Sequence, residues 1–357
     1  MDTYPVTARS LEPFFKEDGD KIERAYKDAL SGFREWSQKE HADDWILLEE
    51  NIGERLSIDE TSLHGNLFTF LTNKDGHGKK GTLIATVKGT RADYVINILN
   101  RIPEEQRLAV KEVTMDFSDS MYSIIKYVFP NAEIVIDCFH IIKRCGEAIE
   151  EIRLRAKREA VTEQRRQIAN HKKNMEKLVK QRKYYRKRHP KNYKGKKRGR
   201  KPARLNTRFK PTVLSNGDTI IELLTRSRCW LSMSRDKWSS TQKERAKLIF
   251  ELFPKIKEAY SMVEKLRGVF RSKCNKENAT ARLQEWYQKV ADCTLREVKS
   301  ARDTIKFKQE EVLNYFNERS TNASAESFNS KIKRFRAQLH GVSDLPFFLY
   351  RITRFFG

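Results

Sequence analysis

No apolar run in this 357-residue chain approaches the roughly 20 residues needed to span a bilayer, so a helical membrane protein is excluded. The first residues, MDTYPVTARSLEPFF, lack a basic stretch followed by an apolar one, so no secretory signal is expected. Cysteine is scarce. The five (Cys138, Cys145, Cys229, Cys274 and Cys293) are scattered and form no C-x-x-C pair, which argues against a disulfide framework or a cysteine zinc site. A reducing, cytoplasmic setting is therefore expected. No internal repeat is visible, and no serine or tyrosine sits in an obvious nucleophile motif.

Acids are also the minority charge. Against 48 Asp+Glu stand 72 Lys+Arg, giving a formal net charge of +24. Such an excess points to an anionic partner, with nucleic acid the first expectation through phosphate contacts and counterion release. The charge is concentrated. Residues 172–210 hold 19 Lys/Arg and one acid, Glu176, hence +18 of the total. Pro190, Gly195, Gly199 and Pro202 break helices there, so a basic loop is expected, most flexible in its later part. Its candidate DNA contacts are Lys183, Arg186, Lys187, Arg188, Lys196, Lys197, Arg198, Arg200 and Lys201, with Tyr184, Tyr185 and Tyr193 as possible stacking groups. The chain is not disordered throughout, because 20 Phe and 12 Tyr can fill a core.

The patterning divides the chain. Residues 1–50 read as short helices, with Phe14, Phe15, Ile22, Tyr26, Leu30 and Phe33 at roughly helical spacing. Within 51–140, strands are expected at 54–62, 67–72, 82–87, 110–116 and 132–137, the second and third forming a hairpin around NKDGHGKKG. Helices are expected at 92–101 and 121–129. The order β-β-β-α-β-α-β describes a mixed sheet covered by helices. Residues 141–315 read as a helical block without strands, with segments at 140–166, 242–265, 278–290 and 299–317 and the basic loop inside it. Within 316–357 two more helices are expected, at 324–338 and 345–356.

Three expected strands run into acids: Ile58 into Asp59, Met115 into Asp116, and Ile136 into Asp137. Such acids lie at the carboxyl edge of a sheet, where sites form in sheets with parallel strands. If the first and fourth strands are neighbours, Asp59 and Asp116 enter one cleft. Close carboxylates repel unless a cation sits between them. Mg²⁺ takes hard oxygen ligands, and two such ions about 3.5–4 Å apart can clamp a phosphodiester. The plainer alternative is that each Asp caps a turn or helix, as Asp119 can at Ser120. A third acid is available in STNASAESFNSKIKRFR. There Glu326, Asn329 and Lys333 share one helix face and Phe328, Ile332 and Phe335 another. With Lys331, Arg334 and Arg336, that helix offers a DNA-facing surface.

The segments SIDETSLHGNLFTFLTN, VTMDFSDSMYSIIKYVFPNAEIVIDCFHIIK and STNASAESFNSKIKRFRAQLHGVSDLPFFLYRI together resemble the DDE transposases of bacterial insertion sequences, closest to the ISL-three family. The shared marks are a D-E near the first strand, P-x-A-x-[IV]-x-x-D-x-F-H, and N-A-x-x-E-x-x-N-x-x-I-K. The resemblance covers roughly residues 50–150 and 316–357. It implies an α/β fold: an RNase H-like mixed sheet with helices, interrupted by a large all-helical insertion. It also implies that Asp59 is the first catalytic acid and Glu326 the third. Asp116 is preferred as the second because it closes the fourth strand. Asp137 with His140 is the alternative, or else supports the site. The implied cofactor is two Mg²⁺ ions held by Asp59, Asp116 and Glu326, with Mn²⁺ as a substitute. The implied chemistry is cleavage at transposon ends and joining to target DNA.

Family members usually carry a cysteine-rich zinc module and a helix-turn-helix before this core, whereas residues 1–50 hold no cysteine. End recognition is thus expected in a separate polypeptide or in the helical insertion. The active form is expected to be a homo-oligomer working in the bacterial nucleoid. Two rivals fit the same composition: a non-catalytic nucleic-acid-binding protein that relies on its basic loop, and an RNase H-like nuclease that does not join strands.

Overall fold

The computed structural model describes residues 1, 6–188, 208–342 and 344–357. The chain divides into two compact units. One comprises Met1–Ile141, Val269–Gln284 and Thr304–Gly357, the other Ile142–Gly268 and Glu285–Asp303.

The first unit is built on a six-stranded mixed sheet. Its strands are β1 (Trp45–Leu47), β2 (Arg55–Leu63), β3 (Asn66–Asn73), β4 (Leu83–Lys88), β5 (Glu112–Met115) and β6 (Glu133–Ile136), in the order β1-β4-β3-β2-β5-β6. β2, β3 and β4 form an antiparallel meander, and β2-β5-β6 are parallel. This is the expected RNase H-like α/β arrangement, with one strand more than the sequence suggests. β1 is three residues long and lies in a stretch whose pattern is helical. Its backbone is satisfied by β4, which is distant in sequence. The β2–β3 connection is His64-Gly65, both with positive φ (47° and 79°), the two-residue turn whose twist suits a hairpin.

Alternation along β2 sends Leu56 and Ile58 to one face, Ser57, Asp59 and Thr61 to the other. Helices Ala92–Leu99 and Asp119–Val128 pack on each other and on β1, β4 and β5. Ser118, not Asp119, caps the latter helix, accepting a bond from the Met121 amide at 3.4 Å. Asp119 lies in the first turn and pairs instead with the buried Lys308. The Asp59 face is covered by helices Ala323–Gln338 and Leu345–Phe356. Phe328, Ile332 and Phe335 are buried there as their spacing predicts, and Phe328 meets Phe70 edge to face with centroids 5.8 Å apart. Phe328→Ala would therefore leave a cavity beneath the helix that carries Glu326. A loss of about 3–5 kcal/mol in unfolding free energy is expected by denaturant titration.

Among its described residues the second unit is helical, apart from an isolated bridge between Val213 and Thr219. Trp238 is central to it. Its ring packs on Trp230 (5.1 Å) and Tyr260 (4.9 Å), and its indole N–H donates to the Trp230 carbonyl. The helix Cys138–Arg188 runs 22 residues further than the expected 140–166, taking in residues 172–188 of the expected basic loop. Between Glu147 and Arg188 there is no glycine or proline, and strong helix formers dominate. From residue 154 to 188 no position is buried. The remainder of the expected loop, including Tyr193, Lys196, Lys197, Arg198, Arg200 and Lys201, lies outside the described residues. Among the described residues no helix is long and apolar enough to cross a membrane.

Candidate active site

Asp59 lies inside its strand, as it does in the expected span 54–62. β2 continues to Leu63 because β3 pairs with it from Leu56 to Leu63. Its other neighbour is shorter: pairing with β5 reaches Ser57↔Thr114, and β5 ends at Met115. Asp59 and Asp116 each lie two residues beyond that pair, on the face where Ser57 Oγ and Thr114 Oγ1 are 2.8 Å apart. Neighbouring strands are about 4.8 Å apart, so the two carboxylates are side by side.

Helix Ala323–Gln338 closes over this pair. Asn329 is buried and its amide donates to Asp59 Oδ2 at 2.6 Å, while the Glu60 amide donates to Oδ1 at 2.7 Å. Asn322 is fully buried at the helix start. Its amide donates to Asp116 Oδ1 (2.9 Å) and the Ile58 carbonyl (3.3 Å), and its oxygen accepts from Thr114 Oγ1 (3.4 Å). Although Asn322 is the N-cap residue, its side chain makes no capping bond. That forgoes about 1 kcal/mol of local stabilisation. Asn329 Oδ1 is buried without a partner among the described residues, a further cost of about 1–3 kcal/mol. Glu326, one turn from each asparagine, is exposed, and its carboxylate has no partner among the described residues. Its charge nevertheless reaches Asp116 and helps to raise that group's pKa.

His140 and Asp137 adjoin Asp116. His140 Nδ1 is 3.1 Å from Asp116 Oδ1 and 3.6 Å from Asp137 Oδ2. Asp137 is buried and accepts from the Phe139 amide at 3.1 Å, capping the long helix.

Electrostatically the site is short of positive charge. Burial, and then the neighbouring Asp116 charge, push the Asp59 carboxyl up to about 6. Burial raises Asp116 too, against the opposing pull of His140 and Asn322. Among the described residues, no lysine or arginine pairs with Asp59, Asp116 or Glu326. Adjacent carboxylates without a counter-cation fit a divalent ion. Asp116, Asp137 and His140 each offer a ligand atom, all within 4.8 Å of one another. Asp59 and Glu326 are not in that tight group.

The other expected contacts are dispersed. Asn329, expected to face DNA, instead faces inward onto Asp59, because the helix buries that side against the sheet. Lys331 is half-buried and donates to the Gly78 carbonyl at 2.6 Å. Lys333, Arg334 and Arg336 are exposed. Lys183, Arg186, Lys187 and Arg188 lie on the exposed end of the long helix, with the Arg188 guanidinium 4.9 Å from the Tyr184 ring. Sequence reasoning misses Asn322 as a site residue, although its spacing offers a signal: Asn322, Glu326 and Asn329 at i, i+4 and i+7 share one helix face.

No curated protein and no solved structure matches the chain. A family model described as "Transposase", that of the ISL-three DDE enzymes, matches residues 56–212 and 204–352, which include every acid discussed above. The chain belongs to the ISL-three family of DDE transposases, proteins that act on DNA in transposition.

Proposed function

We propose that this transposase cleaves DNA at insertion-sequence ends and joins the ends to target DNA. Asp59, Asp116 and Glu326 would be its catalytic acids and two Mg²⁺ ions its cofactor. One observation supports the reading: Asp59 on β2 and Asp116, just past the end of the neighbouring parallel strand β5, are each bonded by an asparagine of the helix that carries Glu326.

Asp116 is favoured over Asp137 as the second acid because it lies beside Asp59 and is bonded by the Glu326 helix through Asn322, whereas Asp137 is buried and caps the long helix. Asp59 and Asp116 would hold ions from the sheet, and Glu326 from the opposite side. When bound, divalent ions neutralise these carboxylates and supply the charge that stabilises an attacking and a leaving oxygen. His140, whose Nδ1 lies 3.1 Å from Asp116 Oδ1, would help to keep that carboxylate oriented. The buried asparagines fill the space between helix and sheet, so the open side beside Glu326 is the route for a phosphodiester.

The exposed basic helix would track the DNA backbone. Replacing Lys183, Arg186, Lys187 and Arg188 by alanine is expected to weaken binding to any duplex. The slope of log affinity against log salt should become shallower by roughly 0.9 for each phosphate that is no longer neutralised. An unchanged slope would remove this helix from the interface. A separate end-recognition polypeptide, a homo-oligomeric active form and work at the nucleoid belong to the same proposal.

The test is an assay in Mg²⁺ with duplexes carrying the element's own termini, both intact and pre-cut. Cleavage of intact ends and joining of pre-cut ones is expected. Hydrolysis without joining would leave only a nuclease, and binding without either reaction would leave a non-catalytic DNA-binding protein.

A further inference from the structure

We propose that Asn322 and Asn329 are positioning residues, a pair of neutral clamps that fix the Glu326 helix against the two aspartates and so set the spacing of the three acids. The inference rests on the catalytic reading of those acids and deepens it.

The two amides bracket Glu326 on one helix face, and each bonds a different aspartate: Asn322 to Asp116 Oδ1 and Asn329 to Asp59 Oδ2. The carboxylates come from different strands, so the pair ties two strands to one helix. Both asparagines are buried, and both break a local rule to do this. Asn322 gives up its cap bond, and Asn329 leaves its oxygen unpaired among the described residues. A helix that needed only to be stable would keep the cap and bury an apolar group at position 329.

The amide is the chemically apt donor. A lysine or arginine would also hold a carboxylate, but its charge would repel a divalent ion. Each amide here donates to a single carboxylate oxygen and adds no net charge. Asp116 Oδ2 accordingly has no partner among the described residues. Residues that orient metal ligands from behind typically change metal affinity or activity by about 10–100-fold when removed.

The experiment measures the Mg²⁺ dependence of cleavage for Asn329→Ala and Asn322→Ala, with DNA affinity and thermal melting recorded alongside. Each variant is expected to need about 10–100-fold more Mg²⁺ for half-maximal rate. DNA affinity should be unchanged, and part of the maximal rate should return at saturating metal. Asn329→Asp, which keeps the shape but adds a charge against Asp59, is expected to lose more activity than Asn329→Ala. If Asn322→Ala does not fold, the two position-329 variants decide the matter alone. An unchanged Mg²⁺ requirement in folded Asn329→Ala, or equal losses in the alanine and aspartate variants, would overturn the proposal. Asp59→Asn run in parallel separates the two levels. If that variant is inactive at every Mg²⁺ concentration while Asn329→Ala behaves as wild type, only the clamp is wrong. If Asp59→Asn is active, the catalytic reading fails as well.

Discussion

Asp59→Asn is expected to lower Mg²⁺-dependent cleavage and joining by about 10³-fold or more, while DNA binding persists and the metal-free protein becomes more stable. The two effects share a cause. Asp59 is a half-buried carboxylate beside Asp116, and its pKa is pushed up to about 6 from an ordinary 3.8. The folded state thus binds this proton more tightly than the unfolded chain does. Stability associated with the protonated group is fully present below the unfolded value and is lost as pH rises through about 6. At neutral pH the wild type bears the whole penalty, on the order of 1–2 kcal/mol once solvent screening is allowed for. Asparagine has no such charge, and its single oxygen can accept from Asn329 or from the Glu60 amide, so one of the two bonds is given up for removal of the charge penalty. Thermal melts in chelator should show the wild type losing stability between pH 4 and 7 relative to Asp59→Asn. Added Mg²⁺ should raise the melting temperature of the wild type by more than that of the variant. Equal pH dependence in the two proteins would show that Asp59 carries no such penalty. Wild-type cleavage by the variant would remove it from the chemistry.

Glu326→Gln is expected to lose activity on a similar scale, at least about 10²–10³-fold, without the gain in stability. Its carboxylate is exposed and has no partner among the described residues, so the fold does not depend on it. Melting should shift by no more than about 0.5 kcal/mol, as for other exposed substitutions. The contrast with Asp59 is informative. Both changes remove one negative charge, yet only the buried one should alter the stability of the metal-free protein. A Glu326→Gln variant with normal cleavage in Mg²⁺ would mean that the third acid lies elsewhere.

Much of this site is legible in the residues, and the failures have physical causes. The stripe Phe328, Ile332 and Phe335 announces a helix with one buried side, and all three side chains lie in the core. The same periodicity also places Glu326 and Asn329 on a shared face, but it cannot say what that face meets. By spacing alone Asn329 is a surface residue, and only the fold turns it onto Asp59. Polar residues follow Ile58, and Asp59 is the first of them. Its strand continues because β3 supplies backbone partners as far as Leu63. What changes at Asp59 is the other neighbour, β5, whose pairing with β2 reaches only Thr114. The basic run from residue 172 looks like a loop by charge density. Helix nevertheless persists to Arg188, since Lys, Arg and Gln are good helix formers and no Pro or Gly intervenes before Pro190. The strand Trp45–Leu47 is too short for a period of two to register, and it exists only because β4 is beside it.

The central claim is that acids from three distant segments grip common metal ions, and the most direct test is metal-directed cleavage of the protein's own backbone. Fe²⁺ would be bound in place of Mg²⁺, and ascorbate with peroxide would release short-lived radicals at the ion. The scission products would then be mapped with and without competing Mg²⁺. The expected result is cuts clustered near residues 59, 116 and 326, all suppressed by Mg²⁺ and absent in Asp59→Asn. Cuts near 116 and 137–140 alone, with none around 326, would contradict the account.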